Sequence, residues 1–391
     1  MTTAIIPYGL QDINQADIDA VVAVLQSDFL TQGPVVPDFE KAVACYCNAH
    51  HAVAVNSATS ALHIACLSLG VGKGDIVWTS PITFVATANC ALYCGATVDF
   101  VDVDPQTYNL SVKCLEEKLV EAEKAGTLPK VVIPVHLCGQ PCDMAGINVL
   151  SKYYGFKIIE DASHAIGGSY KKEPIGNCNY SDITVFSFHP VKIITTGEGG
   201  MALTNDEQLA KRMRLLRGHG ISSDAADMHQ RPPQELWNYQ QIELGFNYRM
   251  TDIHAALGLS QMQRLDEFVL RRHALAQRYD ELLADLPVIC PWQDPDGYSS
   301  YHLYVIRLKI GEIKRTHRQV YEAIRKEQVL VNLHYIPVYR QPYYEQAGFR
   351  SGYCLQAERY SSEVLTIPLY PGLSLSQQDQ VVNALRKTII A

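Results

Sequence analysis

One lysine, Lys192, sits in SFHPVKIITTGEGG (residues 187 to 200) with a valine before it and two isoleucines after it. Such a setting has two physical readings: the aliphatic stem packs while the ammonium reaches water, or the amine itself is desolvated. Desolvation would make a nucleophile, because burial disfavours the charged form and leaves free amine near neutral pH. Two other stretches bear on the choice. In AVAVNSATS (52 to 60) a short apolar run ends in hydroxyl and small residues at the start of a helical pattern. Free backbone N–H groups at a helix start bind anions, phosphate among them; a plain Ser/Thr helix cap explains the same residues. FKIIED (156 to 161) ends a buried strand pattern on Glu160 and Asp161. A carboxylate there needs a cationic or N–H partner, and a salt bridge or a cap would serve equally.

Each signal is weak alone; together they are specific. A phosphate cup, an aspartate and a desolvated lysine are the anchor, the pyridinium partner and the amine that a pyridoxal phosphate enzyme must supply. GVGKGD (70 to 75) fits neither G-x-G-x-x-G nor G-x-x-x-x-G-K-[ST], so dinucleotide and P-loop readings weaken.

Composition sets outer bounds. The net charge of -8 offers no clustered cations for nucleic acid. No apolar run is long enough to span a bilayer and no charged-then-apolar leader follows Met1, so a cytoplasmic protein is expected. Eleven cysteines lie in apolar stretches such as ANCALYCGA and read as reduced, buried thiols. Cys138 and Cys142 resemble half a zinc site without the second half, so no metal is expected.

The elements that must position these residues can be read from the pattern. At 391 residues two domains are expected, divided as 1–250 and 251–391. Seven apolar runs read as strands: AVAV at 52, IVW at 76, VDFVDV at 98, KVVIPVH at 130, FKIIED at 156, DITVFSFH at 182 and GGMALTN at 199. Helical patterns alternate with most of them, which predicts an α/β sheet covered on both faces. Before the block, Ile18, Val21, Val22 and Leu25 at i, i+3, i+4, i+7 predict a helix with Asp12 available as its cap. After it, a long helical pattern from Thr251, the strand YHLYVIRLKI, a helix at VYEAIRKEQ and the strand VLVNLHY predict a smaller α/β domain.

NSATSALH, TFVATANCAL, PVHLCGQPCDM, EDASHAIGGSY, SFHPVKIITTGEGG, RGHG, GFNYRMTDIHAALGLSQ, HLYVIRL, HYIPVYRQPYY and PLYPGLS resemble, in order, the motifs of the DegT/StrS-type sugar aminotransferases. The resemblance runs from about residue 5 to 373. It implies an aspartate aminotransferase-like, fold type I enzyme. A large domain would be built on a mostly parallel seven-stranded sheet and joined to a small C-terminal α/β domain. Its cofactor would be pyridoxal 5'-phosphate, cycling through pyridoxamine 5'-phosphate, with L-glutamate as donor and a UDP-linked 4-keto sugar as acceptor. By position, Lys192 would bond the cofactor and shuttle the proton. Asp161 would pair with the ring nitrogen, His164 would stand beside the 3'-oxygen, and Phe84 would stack on the ring. Ala58, Thr59 and Ser187 would hold the phosphate, and Asn247 would reach the neighbouring subunit's phosphate, which implies a homodimer with shared sites. Thr31, Gln32, His334 and Tyr335 fall in segments near the nucleotide sugar. His164 as a buried structural histidine, Phe84 as plain core and Tyr335 as a packed strand end are the bland alternatives. The glycines from Gly197 to Gly200 would turn the backbone tightly behind the lysine.

Three rival readings remain: another UDP- or dTDP-linked keto sugar, a dehydratase or deoxygenase, and a non-catalytic cofactor-binding regulator. Dehydrating relatives replace the lysine, commonly by histidine, and Lys192 speaks against them.

Overall fold

Each of the seven apolar runs forms a strand, and all seven join one sheet. A computed structural model describes residues 5–224, 226–229 and 239–390. The first five strands are β1 (His51–Val55), β2 (Ile76–Thr79), β3 (Thr97–Phe100), β4 (Val131–Ile133) and β5 (Lys157–Asp161). After the two-residue strands β6 (Ser169–Tyr170) and β7 (Glu173–Pro174) come β8 (Ile183–Ser187) and β9 (Gly200–Thr204). The order is β1-β9-β8-β5-β4-β2-β3, and β9 alone runs antiparallel, to both its neighbours. The reversal follows from chain length: the segment between Ser187 and Gly200 is too short for a crossover helix and returns directly.

Both faces are buried. On one, Val53, Val55, Ile159 and Val185 pack with α3 (Ala58–Ser68), α4 (Ala86–Tyr93) and α7 (Glu207–Arg217). On the other, Ala52, Ala54, Phe186 and Met201 pack with Phe39 and Val43 of α2 (Val35–Cys47). Trp78, Val132 and Ile158 pack with α5 (Val112–Ala125) and α6 (Met144–Tyr154). Helices on both faces explain why the strands show no polar alternation. The first helix, α1 (Gln15–Leu25), departs from expectation twice. Its cap is Asn14, in a capping box with Asp17, while Asp12 instead pairs with Arg264. Its apolar stripe faces outward: Ile18, Val22 and Leu25 are exposed, and the buried side chains are Asp17 and Val24. Asp17 turns inward because Ser260, Gln261 and Arg264 all bond its carboxylate.

β10 (Ile221–Ser222) and β11 (Gln240–Gln241) form a small ladder. The long helical pattern after Thr251 divides into α8 (Asp252–Met262), which packs on α1 and α2, and α9 (Leu265–Leu283). β12 (Val288–Ile289), β14 (Tyr304–Leu308) and β15 (Val364–Ile367) make a second sheet, with β13 (Gly297–Tyr298) pairing with β6. An apolar cluster of Tyr304, Ile306, Leu365 and Ile367 packs this sheet against α9, α10 (His317–Lys326) and α13 (Leu375–Ile390). VLVNLHY is not a strand. It holds single bridges, Val329 to Ile6 and Asn332 to Thr366, the second on the edge of β15 that β14 leaves open. Two more helices, α11 (Pro342–Gln346) and α12 (Leu355–Glu363), separate that segment from β15. No described helix is long and apolar enough to cross a membrane.

Candidate active site

Strand register gathers the sequence's scattered signals at one end of the large sheet. Gly200 stands opposite Val55 on one side and Ser187 on the other. Beyond Val55 the chain passes Asn56 and enters α3, whose cap Ser57 accepts the Ser60 N–H (3.1 Å). The N–H groups of Ala58 and Thr59, one and two residues further in than the cap, bond no group among the described residues. A Cβ on Gly200 would lie 2.4 Å from Ala58 N and 2.5 Å from Ser57 C. Only glycine therefore lets β9 approach this helix start, and Ser187, which pairs with Gly200 on the other side, ends β8 at the same place. That is a cradle for an anion.

Asp161 ends β5, 4% exposed. Its Oδ2 accepts from Thr87 Oγ1 (2.6 Å); its Oδ1 accepts from Ser163 Oγ (2.5 Å) and Ser163 N (3.1 Å). No ion pair joins it among the described residues. Glu160 departs to the other side, where His136 Nε2 (2.8 Å), Thr184 Oγ1 (3.1 Å) and Ser181 Oγ bond it. The salt-bridge reading thus applies to Glu160, and Asp161 stays free to meet a cation from a ligand.

Lys192 lies in the loop after β8, half-buried, followed by the buried Ile193 and Ile194. Phe188 N bonds Gly199 O (2.9 Å) and Thr196 N bonds Phe188 O (3.0 Å), closing the loop. Gly197 at φ +81° makes its turn. Burial draws the Lys192 amine down to about 8, against the opposing pull of Asp161 and Cys138. A lysine so placed holds far more free amine near neutrality than an exposed one, although the protonated form still predominates at pH 7.

His164, 6% exposed, accepts Cys138 N–H at Nδ1 (3.2 Å) and meets Tyr335 Oη at Nε2 (3.3 Å). Burial, Lys192 and His334 hold it well below the ordinary imidazole range. An acceptor at Nδ1 puts the proton of the neutral ring on Nε2, toward Tyr335. His334 is buried, bonded to Thr366 Oγ1 (2.9 Å), and pulled down to about 3 by burial and Lys192. His302 packs its ring 4.4 Å from that of His164.

Lys192, Asp161, His164, His334 and Tyr335 thus converge, with the Ala58, Thr59 and Ser187 cradle at the same sheet end. Phe84 is 60% exposed just before α4, so it is not part of the core. Asn247 is exposed, its backbone oxygen accepting Asn56 Nδ2 (3.4 Å). Thr31 and Gln32 lie on an exposed loop, Gln32 at φ +57°, and no described hydrogen bond ties them to the Lys192 cluster. That loop is clamped by the fully buried Asp252, which accepts from Gly33 N (2.7 Å), Val35 N (2.9 Å) and Val36 N (3.0 Å). Thr87, Ser163, His302 and Asp252 were not singled out from sequence, and Cys138 was noted only as half of a possible zinc site. Ser163, two residues past Asp161, was the one findable by spacing, since a hydroxyl there folds back onto the carboxylate.

The residues fit pyridoxal phosphate: a free-donor cradle, a carboxylate held by hydroxyls and an amine depressed by burial. Known proteins agree. The model of the DegT/DnrJ/EryC1/StrS aminotransferase family matches residues 11–386. The chain is 38% identical over 387 residues to the spore coat polysaccharide biosynthesis protein SpsC of Bacillus subtilis, covering 98% of this chain and 97% of that one. It is 37% identical over 381 residues to the UDP-4-amino-4,6-dideoxy-N-acetyl-beta-L-altrosamine transaminase of Campylobacter jejuni, covering 97% and 96%. Helicobacter pylori PseC, an aminotransferase involved in the biosynthesis of pseudoaminic acid, superposes with a TM-score of 0.90 at 29% identity, over 99% of both chains. Relatives of this fold have been solved in PLP and PMP forms. The chain belongs to the DegT/DnrJ/EryC1/StrS aminotransferase family and is a fold type I, pyridoxal phosphate-dependent sugar aminotransferase.

Proposed function

We propose that this enzyme moves an amino group from L-glutamate to C4 of a UDP-linked 4-keto-6-deoxy-N-acetylaltrosamine, as a UDP-4-amino-4,6-dideoxy-N-acetyl-β-L-altrosamine transaminase of the pseudaminic acid pathway. The observation that carries the chemistry is the half-buried Lys192 amine, drawn to about 8 at the sheet end that also holds Asp161. The sugar rests on the 37% identity to the Campylobacter jejuni transaminase. SpsC stands as near at 38%, which favours, as a second reading, another nucleotide-linked 4-keto sugar.

When bound, the cofactor supplies an aldehyde that takes up an amine and a ring that withdraws electrons. Lys192 acts through Nζ: unprotonated, it takes a proton from the donor's carbon in one half-reaction and returns one to the acceptor's carbon in the other. Asp161 keeps its charge facing the ring nitrogen, held in place by the Thr87 and Ser163 hydroxyls. Ala58, Thr59 and Ser187 bind phosphate oxygens, and neutral His164, with its proton on Nε2, orients Tyr335. Ile193 and Ile194 keep water from the lysine stem. Thr31, Gln32, His334 and Tyr335 face the nucleotide sugar in this reading. The outward apolar stripe of α1 and the exposure of Asn247 support a homodimer in this reading.

Amination with glutamate across a panel of UDP- and dTDP-linked 4-keto sugars, read by mass spectrometry, tests the assignment. Preferential amination of the UDP-linked altrosamine precursor is expected. Amination of a different sugar alone would move the enzyme to the second reading, and none at all would overturn both.

A further inference from the structure

Three of the contacts that hold His164 lead to one distant segment, residues 300–303, just before β14. The His164 Nδ1 accepts the N–H of Cys138 (3.2 Å), and the Cys138 carbonyl in turn accepts the N–H of Leu303 (3.4 Å). The His164 backbone oxygen accepts from Ser300 Oγ (2.7 Å), a fully buried hydroxyl. The His164 ring meets the His302 ring, 4.4 Å away between centres. Ser300 N completes the junction on Gly139 O (3.2 Å). A Cβ on Gly139, at φ +99°, would strike the Ser300 hydroxyl and lie 3.0 Å from both His164 O and Tyr301 N. The segment is thus seated backbone against backbone on Cys138, Gly139 and His164.

From behind, α9 grips the same segment. Arg272, 1% exposed, turns Nη1 on three carbonyls: Tyr301 O (3.2 Å), His302 O (3.2 Å) and Leu369 O (3.0 Å). Its neighbour His273 bonds Ser299 O through Nε2 (2.6 Å). No carboxylate pairs with Arg272 among the described residues, and its Nε has no partner there. Well-packed apolar side chains replace buried charges with little loss of stability or with a gain. Filling space does not by itself call for a guanidinium here; what a guanidinium adds is a fixed nitrogen that several carbonyls can share. Burial, then Lys192, His164 and Arg272, hold His302 well below the ordinary imidazole range, so it packs on His164 as a neutral ring.

We propose that Arg272 and Ser300 are positioning residues for transamination: α9 holds residues 300–303, and they hold the His164 ring with its proton at Nε2. This rests on the reading of His164 as the neighbour of the cofactor's 3'-oxygen. Without the Ser300 hydroxyl, the buried His164 carbonyl loses its donor; without Arg272, three carbonyls lose theirs. Either change lets the Cys138 N–H and Nδ1 part, and the proton then divides between the two ring nitrogens.

The test reads the imidazole nitrogens of the holoenzyme by NMR with isotope-labelled histidine, His164→Asn identifying the His164 signals. The native chain should show one tautomer, with the proton on Nε2. Arg272→Met and Ser300→Ala should each show a second form protonated at Nδ1, and kcat should fall about tenfold while the KM for glutamate stays within about twofold. Ser300→Ala removes a single oxygen, so it decides the matter where Arg272→Met does not fold. A role confined to stability would lower the unfolding temperature of the variants and leave the tautomer and kcat native; that result overturns the proposal. Removing the cofactor from the native enzyme tests the underlying reading separately. His164 signals that do not move on its removal overturn the placement of His164 beside the 3'-oxygen, whatever the variants show.

Discussion

At Lys192 two forces oppose each other. Burial strips the ammonium of water and lowers its pKa, while the carboxylate of Asp161 and the Cys138 sulfur pull it back up; burial wins, at about 8. The sign matters for reactivity, because the free amine is the form that captures an aldehyde, and it accumulates as pH rises through the folded value. Loading of the apoprotein with pyridoxal phosphate, followed by absorbance, should therefore accelerate with pH and level off with a midpoint of about 8, well below the ordinary 10.5. A midpoint near 10.5 would mean that the amine is solvated. The sequence made this lysine legible because its neighbours are valine and isoleucines. It did not reveal Thr87, which reaches Asp161 from the far side of the sheet's carboxyl end. A threonine in TFVATANCAL has no spacing that betrays such a long-range bond. Glu160 and Asp161 were equally ambiguous, until the strand sent one side chain to His136 and the other to the site.

Among the elements, β9 is the one whose placement shapes the cofactor cradle. Its first residue, Gly200, touches the backbone of Ser57 and Ala58, so a methyl group there must push α3 away from the sheet. Gly200→Ala should cost about 1 to 3 kcal/mol of stability through overpacking and weaken phosphate anchoring, raising the dissociation constant for pyridoxal phosphate by about tenfold, or roughly 1.4 kcal/mol. Thermal unfolding and cofactor titration check the two parts. Lost stability with unchanged cofactor affinity would separate Gly200 from the cradle. All seven strands of the large sheet could be read from short apolar runs, since burial on both faces removes polar residues from them. The errors arose where pattern and partner disagree. VLVNLHY has a strand's composition, but it meets Ile6 and the open edge of β15 through single bridges only. The stripe Ile18, Val22 and Leu25 has helical spacing, but tertiary bonds to Asp17 turn it toward solvent.

That outward stripe is a property of the whole molecule. An amphipathic helix that buries an aspartate and exposes isoleucine, valine and leucine has its apolar face turned to something outside this chain. Phe29 and Leu30, exposed just beyond α1, extend the same surface toward the Thr31 and Gln32 loop. In the dimer we propose, each site would need Lys192 from one copy and Asn247 from the other. Mixed dimers of Lys192→Ala and Asn247→Ala subunits should then regain part of the activity that each variant lacks alone, up to about a quarter to a half of the native rate by site counting. Absence of any complementation, with mixed dimers demonstrated by mass, would argue for self-contained sites.

The central claim is that the Lys192 amine, and no other, carries the cofactor. Borohydride reduction of the holoenzyme followed by peptide mapping measures this directly. One pyridoxyl group per chain is expected, on the peptide containing Lys192, and no label in Lys192→Ala. A label on a different lysine, or a Lys192→Ala protein that still transaminates, would contradict it.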